Sequence, residues 1–142
     1  MAVTVQFYKS AKDYLGDGAL NLNTADLRMV PMPTALAFNQ AHDFLDDIAA
    51  SEVTSNGAAR KALAGETWAL SGNNGRFDCD DILQTAAGGT LTFGKYALVD
   101  YTGRTSDADT ELLALFDLGG DASAPAGFDV ALQTPNGLFE LQ

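Results

Sequence analysis

Two stretches, Leu91-Thr92-Phe93-Gly94-Lys95-Tyr96-Ala97-Leu98-Val99-Asp100 and Leu112-Leu113-Ala114-Leu115-Phe116, decide how this 142-residue chain is read. In residues 90–101, Leu91 and Phe93 share one face of an extended strand, whereas Tyr96 and Leu98 fall on the other parity. Gly94-Lys95 sits at the change of phase, and a glycine at such a break predicts a β-bulge. Residues 112–116 are apolar on both faces, the pattern of a strand covered on both sides and central in its sheet. The interval from Thr102 to Thr110 is rich in turn formers. The two strands are therefore expected to pair antiparallel across a loop longer than a tight hairpin, with an Asp/Thr/Ser tip that is solvated or touches a partner.

Working outward, Phe7, Ala11, Tyr14 and Leu15 fall at helical spacing with Gly16 placed to end the helix, which predicts a short helix over residues 5–15. Residues 1–4 lie outside that period and form a candidate arm. Leu27 and Met29 alternate with charged residues until Pro31 and Pro33 remove ladder donors, so this strand should lie at an edge or end at Pro31. Phe44, Leu45 and Ile48 recur at helical spacing with acids opposite, which predicts a second short helix in residues 41–50, capped by Asn39. Residues 52–58 read as loop. Residues 61–70 and 76–82 read as a hairpin across Ser71-Gly72-Asn73-Asn74-Gly75, with Phe77 and Cys79 toward the core. Residues 119–127 read as a loop. Phe128, Val130 and Leu132 share one face of a following strand, and Thr134-Pro135-Asn136-Gly137 turns into a final strand.

There is no internal repeat and no linker long enough to divide the chain. Residues 1–142 are expected to form one α+β, mainly β domain, with residues 1–5 as the candidate arm. Its architecture is expected to be an antiparallel β-sandwich or flattened barrel with two short helices in the N-terminal third.

Eight Lys and Arg against nineteen Asp and Glu give a formal net charge of −11. Such a surface repels a phosphate backbone and offers no counterion-release term, so nucleic acid is not an expected partner. The longest apolar run is the five residues from Leu112, too short for a membrane helix, and the first residues lack the pattern of a signal peptide. Cys79 is the one cysteine and cannot close an internal disulfide.

Candidate chemistry has bland alternatives throughout. Asp78, Asp80 and Asp81 offer clustered oxygens to a hard cation. On a strand, however, Asp81 points away from the other two, and no metal site is expected. Asp107 and Asp109 read as solvent-facing loop acids, with calcium as the alternative. His42 is the only histidine and lies among acids, without a nucleophile elbow or a glycine-flanked cysteine to serve. Asp46 and Asp47 are adjacent on the predicted helix and diverge. Neither a dinucleotide-binding glycine motif nor a phosphate loop occurs, so no cofactor and no catalytic residue is expected. The aromatics Phe7, Tyr8, Tyr14, Trp68, Tyr96, Tyr101 and Phe139 fall at core spacings.

Several words of the sequence, in order, resemble a family of small virion proteins of tailed bacteriophages. They are Phe7-Tyr8-Lys9 with Lys12, Leu15 and Gly16, then Ala19-Leu20-Asn21-Leu22, Asp26-Leu27-Arg28-Met29-Val30 and Ala41-His42-Asp43-Phe44-Leu45-Asp46-Asp47-Ile48. Arg76-Phe77-Asp78-Cys79-Asp80-Asp81, Tyr96-Ala97-Leu98-Val99-Asp100-Tyr101-Thr102-Gly103 and Leu113-Ala114-Leu115-Phe116-Asp117 complete the series. The chain departs from the family pattern at Pro31-Met32-Pro33 and at Asp100-Tyr101.

The resemblance implies a non-enzymatic capsid decoration, or cement, protein. It would be made in the host cytoplasm and placed on the outer surface of the virion, bound to the major capsid protein as a homo-oligomer, a trimer by expectation. A tail or head-tail connector component is the nearest rival. A negative domain suits the outer face of a shell better than its DNA-facing interior. The expected contacts are Ala2, Val3, Thr4 and Val5 as an arm, with Arg104, Asp107, Asp109 and Asp121 in loops. Two other classes compete: a calcium- or glycan-binding surface module, and a small hydrolase using Asp78, Asp80 and His42.

Overall fold

The computed structural model describes residues 3–135 and 137–141. Its elements run β1 (Thr4–Phe7), α1 (Lys9–Gly16), β2 (Leu27–Met32), β3 (Lys61–Ala62), β4 (Thr67–Ser71), β5 (Asn74–Asp78), β6 (Ile82–Thr85), β7 (Leu91–Asp100), β8 (Glu111–Ala124), β9 (Asp129–Leu132) and β10 (Phe139–Leu141). All strand pairs are antiparallel, in three sheets ordered β1-β8-β7-β2-β3, β10-β5-β4 and β6-β9. The chain is mainly β, as its patterning predicts.

The β7-β8 hairpin is the centre of the largest sheet. Its register shifts between Phe93 and Lys95, so the predicted bulge is present at Gly94. The shift keeps Leu91, Phe93, Tyr96 and Leu98 in one core despite their change of parity. β8 lies between β1 and β7, and its residues 112–116 are buried on both faces. Leu113 and Phe116 enter the larger core, whereas Leu112 and Leu115 enter a smaller one with Tyr8, Val30, Met32, Leu45, Ile48, Ala97 and Val99. Burying each such leucine contributes about 2 kcal/mol, enough to hold the hairpin in register.

Several expectations are corrected. Residues 119–127 are not a loop, because β8 continues to Ala124 and pairs Ala122 with Phe93 and Ala124 with Leu91. Residues 118–121 stand opposite the single Gly94, and Gly119 and Gly120 take the excess in positive-φ conformations open to glycine.

The first helix starts at Lys9, and residues 5–7 belong instead to β1. Thr4, Val5, Gln6 and Phe7 pair with Asp117, Phe116, Leu115 and Ala114. The outer edge of β8 offers unpaired backbone groups, and Val5 and Phe7 alternate with polar residues as a strand requires.

The second helix is absent. Residues 45–47 and 49–51 form two 3-10 turns, leaving α1 as the one α-helix among the described residues. Leu45 N–H donates to the Thr110 carbonyl at 2.8 Å and Leu112 N–H donates to the Asp43 carbonyl at 3.0 Å. The Asp47 carboxylate accepts from the Asp43 and Phe44 N–H groups. Groups committed to a neighbouring strand cannot also point along a helix axis. Leu45 and Ile48 are nevertheless buried, so the apolar spacing served packing.

β2 neither ends at Pro31 nor lies outermost. It runs to Met32, with β3 beyond it, but β3 pairs only with Arg28 and Met29. Pro31 thus lies where no strand flanks the outer side of β2, and its carbonyl accepts from Val53 N–H.

The expected hairpin forms in shorter bounds as β4-β5, with Ser71 already paired to Asn74. Residues 61–62 pair instead with β2, and Ile82 pairs with β9. Cys79 lies beyond the end of β5, buried with Phe77. Phe139 of β10 joins the smaller sheet to the larger, its ring 5.1 Å from that of Phe7 and 5.2 Å from that of Phe77. In the following ribbon Val130 and Leu132 face the core, but Phe128 is 65% exposed, because Gly127 turns the chain just before it. No helix among the described residues is long and apolar enough to cross a membrane.

Candidate interaction surface

The polar residues of the central hairpin's loop are largely spent within the chain. Arg60 donates to both oxygens of Glu52, at 2.9 and 2.6 Å, and to both of Asp107, at 2.6 and 2.8 Å. It also bonds the Tyr101 hydroxyl, whose ring carries Arg28 at 4.3 Å on its face. The paired carboxylates raise the Arg60 pKa, and the Arg60 guanidinium holds Asp107 below the usual carboxylate range. Asp109 closes the adjacent turn by accepting from Ser106 N–H and its hydroxyl. The loop acids are therefore structural clamps, and the tip has one preset shape.

Arg104 turns the other way. Its Nη2 donates to the Tyr14 hydroxyl at 2.6 Å and bonds Glu111 Oε1, which also accepts from Tyr14 at 2.9 Å. Burial, and then the Glu111 carboxylate, raise the Tyr14 pKa. Tyr14 and Glu111 of this triad line a cleft of about 320 Å³ whose walls include Lys9, Ser10 and Asp13 from the start of α1. Asp43 and Phe44 form the opposite wall. Phe44 is placed by an isolated antiparallel bridge to Glu111, and the residue is 38% exposed. Helical spacing assigned Phe44 to an apolar stripe, and nothing in the sequence pairs it with a residue 67 positions on.

The arm residues are divided. Ala2 lies outside the described residues, Val3 is exposed, and Thr4 and Val5 belong to β1, the edge strand of the chain's own sheet. Asp121, on β8 and not in a loop, accepts from the Thr34 hydroxyl.

The other acids hold turns. Asp78 accepts from Cys79 N–H at 2.9 Å, and Asp81 accepts from Thr134 N–H at 3.1 Å. They line an open depression with Asp80 and Cys79. Burial pushes the Cys79 thiol up to about 12, far from a thiolate at neutral pH. His42 sits in a turn closed by the Asn39 carbonyl, in the segment over the smaller core. Asp78 follows Phe77 of the larger core, so the central sheet separates the histidine from the acids that a hydrolase would pair with it. Among the described residues no three His, Cys, Asp or Glu side chains gather as a metal-binding group. No protein family, curated protein or solved structure matches the chain.

Proposed function

We propose that the protein is a non-enzymatic virion structural protein that decorates the outer surface of a bacteriophage capsid. In this reading it binds the major capsid protein as a small homo-oligomer, a trimer, set across junctions between shell subunits. The observation that carries the reading is the clamped hairpin loop, where Arg60 is bonded to Glu52, Tyr101 and Asp107. A preorganised surface binds with little ordering cost. Attachment at many equivalent sites multiplies weak contacts, and binding only to the assembled shell stabilises it by mass action. The net charge of −11 favours the outer face over the DNA-lined interior and disfavours nucleic acid as a partner. The facing of the larger sheet and the β10-β5-β4 sheet across one core supports a sandwich rather than a barrel.

Mass spectrometry of purified particles, with imaging of the shell, tests the reading. The expected result is a fixed ratio to the major capsid protein and a capsid that opens at lower temperature without this protein. Absence from the particle overturns the proposal, and a location at the neck or tail replaces it with a connector role.

A further inference from the structure

We infer that the cleft between the start of α1 and Phe44 is a binding site for a neutral sugar ring. Its floor is rigid, because the lining residues Tyr14 and Glu111 are bonded to each other and Arg104 bonds both. Its rim differs. Lys9, Asp13 and Asp43 line the cleft with side chains that make no hydrogen bond or ion pair with the described residues. The unspent groups therefore comprise a cationic donor and two anionic acceptors, beside the exposed Phe44 ring. Deeper in, Ser10 Oγ and Glu111 Oε2 are buried without a partner, two of the five such atoms among the described residues.

The charges select the guest. An anion would meet Asp13, Asp43 and Glu111, and a cation would meet Lys9. A neutral molecule carrying many hydroxyls suits both sets, donating to the carboxylates and accepting from the ammonium. A pyranose also has a patch of C–H groups that carry partial positive charge, and these pack against the negative face of an aromatic ring such as Phe44. The volume, about 320 Å³, is at the small end of ligand sites and matches a terminal sugar rather than a long oligosaccharide. Sugar binding does not depend on the capsid attachment proposed above, since it is read on the isolated protein.

The experiment is an NMR titration of the whole ¹⁵N-labelled chain with the methyl glycosides of glucose, galactose, mannose and N-acetylglucosamine, each at millimolar concentrations, and in parallel with N-acetyl-lysine methylamide. At least one glycoside should give saturable shifts centred on the amides of Ser10, Tyr14, Phe44 and Glu111. Phe44→Ala should weaken that binding roughly tenfold while leaving the remaining spectrum native, and Phe44→Tyr should retain it. Asp43→Asn gives a second reading, a severalfold loss, away from the aromatic wall. No saturable shift with any glycoside, shifts centred elsewhere, unchanged affinity in both Phe44→Ala and Asp43→Asn, or tighter binding of the lysine derivative at the same amides would each overturn the inference.

Discussion

Arg60 grips the Asp107 carboxylate with two parallel bonds, Nη1 to Oδ1 at 2.6 Å and Nη2 to Oδ2 at 2.8 Å, across 47 residues of chain. The same guanidinium holds Glu52, whose side chain is only 10% exposed. One planar cation thus ties the loop before β3 to the tip of the central hairpin, a fork geometry that lysine cannot reproduce.

Removing it should be costly. Arg60→Ala leaves Glu52 nearly buried and unpaired, and we expect a loss of about 2–4 kcal/mol in urea unfolding. Arg60→Lys should fall between that variant and the parent. A midpoint within experimental error of the parent for Arg60→Ala would mean that the clamp contributes nothing.

The pH dependence follows from the same contact. Asp107 has its folded pKa depressed, chiefly by its hydrogen bonds from Arg60, so its contribution is fully present above the ordinary Asp pKa. It is lost as pH falls from that value through the lower folded one. The stability difference between the parent and Asp107→Asn should therefore be largest at neutral pH and shrink below about pH 4. Denaturant midpoints across that range give the test, and a difference that grows on acidification contradicts the assignment.

Gly94 packs against the chain that crosses the smaller core. A Cβ there would lie 2.8 Å from Thr34 Cβ and 2.9 Å from Thr34 Cα. Gly94→Ala should destabilise by about 1–3 kcal/mol. Adding Thr34→Gly removes part of the obstruction and should recover part of the loss in a double-mutant comparison.

Cys79 supplies a probe of opening. It is 7% exposed and burial holds its thiol protonated. Labelling by a thiol reagent at neutral pH should be slow in the native protein and should accelerate with urea in step with unfolding. Rapid labelling without denaturant would show that the segment between β5 and β6, which carries it, opens locally.

Much of the fold was legible where the local pattern and the final environment agree. The parity break at Gly94 announced the bulge, and the doubly apolar run from Leu112 announced a strand with a core on each face. The turn signal Ser71-Gly72-Asn73-Asn74-Gly75 likewise marked a hairpin that the chain forms, although Ser71, Asn74 and Gly75 are paired in its strands. The helical spacing of Phe44, Leu45 and Ile48 predicted the burial of Leu45 and Ile48 but not the exposure of Phe44 or the backbone, since Leu45 N–H and Asp43 C=O bond to the central hairpin and not along a helix.

The candidate site was the least legible part. Arg104 and Asp107 read as free loop charges, yet each is bonded inside the chain, and the cleft over Tyr14 and Glu111 joins residues from three distant segments. By itself the sequence determined the strand periodicity, the central hairpin and the acidic surface, because these depend on side-chain alternation and charge count over short spans. Only the tertiary structure decided which strand edge captured Thr4–Phe7, which carboxylate Arg60 would hold and what faces Phe44. Those outcomes rest on unpaired backbone groups and charges brought together from far along the chain, and a buried polar group takes whichever partner the packing places within reach.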